Sequence, residues 1–243
     1  MSAGRLMLCG SGEFTPAMNE IDRAILSGID VSKPRVAIVP TAAGLEDTPR
    51  GWTEMGMEHF RGLGAEGFPV MVLNRTDAHD ARWSDAIASA DWIYFSGGKP
   101  GYLVETLEGT PFWSAVLARH GSGAVLAGSS AGAMMLGTQT IVPEDLDENG
   151  VPRRVWLRKG LGLLPGIFIA PHFDAIPEDL WLGWIDVWPD GHRMLGIDED
   201  TALIQEADGW SVRGKGRALT FRSPADRVVH ETGSRLDSFS AVA

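Results

Sequence analysis

Short apolar runs alternate with helical segments along most of this chain, and that alternation limits the fold more than any other feature. The runs cover residues 5–9, 35–40, 68–73, 91–95, 124–127 and 167–170. Their apolar residues are consecutive rather than alternate, which suits strands buried on both faces. Segments 21–27, 52–63, 84–90, 101–107, 111–120 and 131–136 read as helices. Pro111 falls where a first helical residue is expected, with Thr110 as its cap. Strands separated by helices predict a three-layer α/β sandwich with a mostly parallel central sheet. The tail differs. Segments 201–205, 209–212, 217–221 and 227–230 read as short strands joined by Gly or Pro turns, an antiparallel addition to the same domain. With no repeat and no interdomain linker in view, residues 1–243 are expected to form one domain.

Composition narrows the function classes. The formal net charge of -11 disfavours nucleic acid and anionic membranes as partners, because both repel an acidic surface. The single cysteine, Cys9, lies in an apolar run and is expected to be a buried strand residue; no internal disulfide can form. No leader-like segment opens the sequence and no apolar stretch has the roughly 20 residues of a membrane span, so a cytoplasmic protein is expected. No H-E-x-x-H or paired Cys/His spacing occurs, so a metal site is not expected.

The strongest local signal is Gly128-Ser129-Ser130-Ala131-Gly132, a G-x-S-x-G pattern between a predicted strand and a predicted helix. A sharp strand-to-helix turn exposes one side chain, and small neighbours let the backbone pass close by. Ser130 holds the central position; Ser129 is its rival. A serine hydroxyl needs a base. His172 is the best placed of the six histidines, because it follows the apolar run 167–170 and catalytic groups gather at the carboxyl ends of parallel strands. His59, His79, His120, His192 and His230 read as solvated or structural. Ser96-Gly97-Gly98 follows another strand toward the same edge, so the backbone N–H groups of Gly98 and Ala131 are the candidate oxyanion hole. A G-x-S-x-G elbow also fits an α/β-hydrolase esterase, but no HGGG-type segment precedes it. A non-catalytic binding module on the same architecture is the alternative from another class.

Three stretches together resemble peptidase family S51, the group of dipeptidase E and the cyanophycinases. They are Phe95-Ser96-Gly97-Gly98, Ala127 through Ala133, and Gly160-Leu161-Gly162-Leu163-Leu164-Pro165-Gly166 running on to Pro171-His172-Phe173. The tail Gly196-Ile197-Asp198-Glu199-Asp200-Thr201-Ala202 looks like the cyanophycinase branch. The resemblance implies a class I glutamine amidotransferase-like fold, Ser130 as nucleophile, His172 as base, and no cofactor. It also implies a small peptide substrate, with cleavage of aspartyl peptide or isopeptide bonds. Family members carry an acid between Ser and His. Spacing like that of the cyanophycinases favours Glu148 as this third member, and spacing like that of dipeptidase E favours Asp145. Two departures argue against cyanophycin itself as substrate. Lys99-Pro100 stands where cyanophycinases have Asp-Gln, and the acidic stretch Asp174-Ala175-Ile176-Pro177-Glu178-Asp179 stands where they have arginines. Lys99 could bind a substrate carboxylate, and Asp174 and Glu178 a cationic group or a helix end. Trp181, Trp184 and Trp188 recur at helical spacing and read as one apolar face, packed on the core or on a second copy in a homodimer.

Overall fold

The computed structural model describes residues 4–148, 152–183 and 191–237. In chain order the elements begin β1 (Leu6–Cys9), α1 (Asn19–Leu26), β2 (Arg35–Val39), α2 (Pro49–Gly62), β3 (Glu66–Pro69), α3 (Ala81–Ala88) and β4 (Trp92–Phe95). Next come α4 (Pro100–Leu107), α5 (Pro111–Gly121), β5 (Val125–Ser129), α6 (Ala131–Met134), β6 (Gly137–Leu146), β7 (Pro152–Lys159) and β8 (Leu164–Ala170). The remainder is α7 (Glu178–Gly183), β9 (Arg193–Ile197), β10 (Thr201–Glu206), β11 (Gly209–Gly214), β12 (Ala218–Phe221), β13 (Val228–His230) and β14 (Arg235–Leu236).

Local chemistry accounts for several boundaries. The Thr110 hydroxyl accepts from the Trp113 N–H at 3.3 Å, and Pro111 opens α5, where its missing N–H costs nothing. Helix α2 buries Thr53, Gly56 and Phe60, one face at spacings of three and four. A Cβ on Gly56 would lie 3.0 Å from Ile38 Cγ2, so the glycine lets α2 settle onto β2. The third strand is shorter than predicted. Pro69 offers no N–H to the ladder, and the Val72 N–H turns back to the Val70 carbonyl at 3.0 Å.

Two sheets organise the chain. The larger runs β14-β11-β10-β1-β5-β4-β2-β3. From β1 to β3 its strands are parallel, while β10, β11 and β14 add antiparallel at the β1 edge. The central sheet is therefore mixed, and the mostly parallel expectation holds for its β1-β5-β4-β2-β3 portion. The second sheet, β13-β12-β9-β8-β6-β7, was not foreseen, and the tail is divided between the two. Its β6, β8 and β9 run parallel to one another. Sequence periodicity missed β6 and β7, whose hairpin is only half buried and rich in charge.

The two sheets share a core. Along β8, Ile167 and Ile169 face Leu6, Leu8, Phe95 and Leu126 of the larger sheet. Phe168 and Ala170 face the other way, onto Phe173, Trp181 and Phe221. Strand alternation thus gives β8 two apolar faces, which explains its unbroken apolar run. Trp181 is buried in that second cluster, as a core residue; Trp184 and Trp188 lie outside the described residues. Cys9 is buried as expected, and burial pushes its thiol well above the ordinary range, leaving it protonated and unreactive. Among the described residues, no helix is long and apolar enough to cross a membrane.

Candidate active site

The site forms where β5, β8 and β9 end. β5 closes at Ser129, and Ser130 takes φ 50°, ψ -115° before α6 starts at Ala131. A non-glycine residue there is strained, and the strain is what lifts the side chain clear of the turn. The flanking glycines permit it: a Cβ on Gly128 would meet the Gly132 carbonyl oxygen at 2.2 Å, and one on Gly132 would meet the Phe95 oxygen at 2.4 Å.

His172 follows β8 and also has positive φ, 51°. Its neighbour holds it in place. The Phe173 ring is buried, stacks on Trp181 at 6.2 Å between centroids and meets the Phe221 edge at 5.9 Å. The Phe173 N–H bonds the Ile197 carbonyl at 3.1 Å. With that anchor, His172 Nε2 lies 2.9 Å from Ser130 Oγ. The structure therefore joins the two residues singled out from sequence, although they stand on different sheets.

The third partner is not the predicted one. His172 Nδ1 is 2.6 Å from Glu199 Oε1. Glu148 lies exposed in the turn after β6, and Asp145 falls within β6. The register explains the difference. β8 and β9 are parallel neighbours with Ala170 opposite Gly196, so the segments leaving both strands emerge side by side and bring His172 and Glu199 together. The acidic loop instead belongs to the β6–β7 hairpin. Asp174 Oδ1 accepts the Glu199 N–H at 2.8 Å, which fixes the acid's backbone, and Glu178 pairs with Arg227 at 2.7 Å. Neither Asp174 nor Glu178 therefore stands unpartnered for a cationic group. Glu199 stands in the tail stretch that carries the resemblance, but the sequence gives it no catalytic role because β9 is not legible as a strand; the apolar run 194–197 followed by three acids was the available signal.

Gly97 and Gly98 lie against the serine. A Cβ on Gly97 would be 3.3 Å from Ser130 Cβ and 3.7 Å from its Oγ. Gly98 takes φ 138°, and a Cβ there would meet the Ala42 carbonyl at 2.5 Å, so only glycine fits. The Ala131 N–H, at the first helical position, has no carbonyl within its own helix to bond. Beside Gly98 opens a cleft of about 650 Å³ lined by Leu45, Lys99, Tyr102, Val142 and Arg158, among others. Lys99 is exposed at this cleft, while Arg158 pairs with Glu105 at 3.5 Å.

A second residue missed from sequence is Glu13, buried just beyond the Gly10-Ser11-Gly12 turn. Its carboxylate accepts the Gly97 N–H at 2.9 Å and the Ser129 hydroxyl at 2.6 Å. An acid directly after a strand's carboxyl end was the signal. Of the remaining histidines, His59 is buried against Asp22 at 2.7 Å, on the opposite face of the sheet from α3 and α5. Among the described residues no group of three or more His, Cys, Asp or Glu is placed to hold a metal.

Comparison with known proteins shows the family of the chain. The model of peptidase family S51 matches residues 6–212. A cyanophycinase from Nostoc sp. is 27% identical over 225 residues, covering 91% of this chain and 74% of its own length. A cyanophycinase from Trichormus variabilis matches at the same identity and coverage. Among solved structures, a peptidase from an acI-B1 Actinobacterium superposes with TM-score 0.82 at 32% identity, covering 97% of both chains. A protein described as a putative peptidase E from Listeria monocytogenes has TM-score 0.64 at 16% identity, covering 88% of this chain and 100% of its own, a likeness of fold.

Proposed function

The chain belongs to peptidase family S51 and is a serine-type peptidase, and on that premise we propose that it cleaves small peptides, including aspartyl peptide or isopeptide bonds, through Ser130, His172 and Glu199. The observation that carries this reading is the unbroken chain of contacts from Ser130 Oγ through both ring nitrogens of His172 to Glu199. Neither serine nor histidine is activated alone; a base oriented by an acid is the arrangement acyl transfer needs.

The steps follow. Nε2 of His172 takes the Ser130 hydroxyl proton as Oγ attacks the substrate carbonyl carbon. The oxyanion that develops is held by the Gly98 and Ala131 N–H groups. Glu199 keeps the Nδ1 proton in place and stabilises the imidazolium. The C–N bond then breaks, and the departing amine takes the proton from Nε2. Water, deprotonated by the same nitrogen, attacks the acyl carbon; the C–Oγ bond breaks, Ser130 Oγ takes the proton back from Nε2, and the acid is released. These steps need no group beyond the chain's own residues.

The cleft beside Gly98 is where a substrate side chain flanking the scissile bond would lie. Its lining holds Glu46 and Glu105 beside Lys99 and Arg158; with Arg158 paired to Glu105, Lys99 is the cation that would meet a substrate carboxylate. The relatives are named as cyanophycinases; with Lys99-Pro100 in place of Asp-Gln, we assign this chain to shorter peptides rather than to cyanophycin. The parallel β1-β5-β4-β2-β3 portion with its elbow is read as class I glutamine amidotransferase-like.

The test is hydrolysis of a dipeptide and isodipeptide library by wild type and Ser130→Ala, read as amine release. Cleavage of a narrow set of small peptides that includes aspartyl substrates, lost in the variant, is the expected result. Turnover retained by Ser130→Ala would sink the scheme.

A further inference from the structure

The reaction scheme leaves one buried acid beside the nucleophile without a role. Glu13 is 6% exposed, sits after β1 and does not belong to the Ser130–His172–Glu199 chain. Its two oxygens are divided between two different segments. One accepts the N–H of Gly97, the residue before Gly98; the other accepts the hydroxyl of Ser129, the residue before Ser130. The first segment leaves β4 and the second leaves β5, and these strands are parallel neighbours with Phe95 opposite Gly128. One carboxylate therefore bridges the two loops that carry the candidate oxyanion donors and the nucleophile.

We infer that Glu13 is a positioning residue, which clamps the Gly97–Gly98 turn to the serine elbow and so sets the spacing between the Gly98 N–H, the Ala131 N–H and Ser130 Oγ. This inference rests on Ser130 being the nucleophile. Three observations support it. Burying a carboxylate is costly unless it is hydrogen-bonded, and both oxygens of Glu13 have donors. The turn's other anchors are backbone bonds of its flanking residues, Ser96 N–H to the Val39 carbonyl at 3.3 Å and Lys99 N–H to the Ala42 carbonyl at 2.8 Å, and neither of these reaches the serine elbow. The fit is close: Glu13 Oε1 would lie 3.2 Å from a Cβ on Gly97, and Ser130 Cβ 3.3 Å from it, so the turn is wedged between the clamp and the nucleophile. Oxyanion donors act at a distance of about 3 Å from the developing charge, and small misplacements are expensive.

A clamp acts on the chemical step rather than on substrate encounter, and that separates it from a merely structural acid. The readout is labelling of Ser130 by a fluorophosphonate, whose attack also generates charge on an oxygen, resolved into a maximal rate kinact and a binding constant KI. Glu13→Ala is expected to lower kinact by about ten- to a hundredfold with KI changed less than about twofold. Glu13→Gln should restore most of kinact: its carbonyl accepts from Gly97, and its amide donates to a Ser129 hydroxyl turned to accept. Ser129→Ala, which opens one arm of the clamp, should fall between wild type and Glu13→Ala. Wild-type kinact in folded Glu13→Ala or in Ser129→Ala overturns the clamp. So does Glu13→Gln as slow as Glu13→Ala, since charge and not the bridge would then matter. If Glu13→Ala does not fold, the Glu13→Gln and Ser129→Ala rates still decide. Ser130→Ala is run beside them: persistent labelling there defeats the nucleophile assignment itself, whereas fast labelling of Glu13→Ala with a blank Ser130→Ala defeats only the clamp.

Discussion

Replacing Glu199 by Gln separates the acid found by tertiary structure from the acid expected by loop spacing. The Nδ1–Oε1 contact is 2.6 Å, which places the centres of charge of a carboxylate and an imidazolium roughly 4 Å apart. At that separation the attraction is about 4 kcal/mol for an effective dielectric near 20, and about 1 kcal/mol in bulk water. The pair lies between these limits, because the His172 side chain is 34% exposed and that of Glu199 46%. About 2 kcal/mol is a fair middle value, or roughly a thirtyfold fall in kcat. Most of the fall should appear in kcat rather than KM, because the imidazolium exists only once the proton has moved. Glu148→Gln, at an exposed turn, should change kcat by less than about twofold. Steady-state hydrolysis of the best library substrate by the three proteins gives the answer. Glu199→Gln with unaltered kcat, or Glu148→Gln with the larger loss, would refute the assignment of the acid and the register argument behind it.

Further outcomes follow from the same structure. Gly98→Ala should reduce kcat by at least about a hundredfold, since a Cβ would collide with the Ala42 carbonyl and turn the N–H away; labelling and turnover at the wild-type rate would remove Gly98 from the oxyanion hole. Phe173→Ala should cost about 3–5 kcal/mol in chemical denaturation, because it empties the space between Trp181 and Phe221, and a loss under about 1 kcal/mol would show that His172 is anchored otherwise. Asp22 bears on pH. Burial raises its carboxyl above the ordinary value, the hydrogen bond from His59 only partly opposing this. The native state then holds the Asp22 proton more tightly than the unfolded chain does. The resulting stability is complete below an unfolded value of about 3.9 and is lost as pH rises through the elevated native value. Urea denaturation from pH 4 to 7 should therefore show Asp22→Asn gaining stability relative to wild type as pH rises, and a constant difference would contradict that sign.

Much of the site was legible in the sequence because its chemistry is local. Gly128 reflects a close approach to Gly132 within one strand-turn-helix, and although Gly132 in turn lies against Phe95 of β4, a five-residue window contains both glycines. His172 was found by a positional rule, that functional groups follow strands in a parallel sheet, applied to an apolar run that is a strand. The same rule would have reached Glu13 and Glu199. It was not applied to Glu13, and it was not available for Glu199, because β9 was not recognised. The elements missed most completely, β6 and β7, mix apolar pairs such as Ile141 opposite Leu157 with polar ones such as Thr140 opposite Arg158, and neither strand repeats a clear hydrophobic period.

Elements whose causes lie within a few residues are written in the chain itself: the capped helix after Thr110, the elbow at Ser130, the glycine turn at Gly98, and strands apolar enough to be buried on both faces. Which of these meet is a matter of how the strands pair across the fold. The division of the tail between two sheets, the choice of Glu199 over Glu148, and the bridge made by Glu13 depend on strand order and register. Those are set by long-range pairing, such as Phe95 against Gly128 and Ala170 against Gly196. A carboxylate's partner is whatever the sheets bring within about 3 Å of it, and that distance bears no fixed relation to separation along the chain.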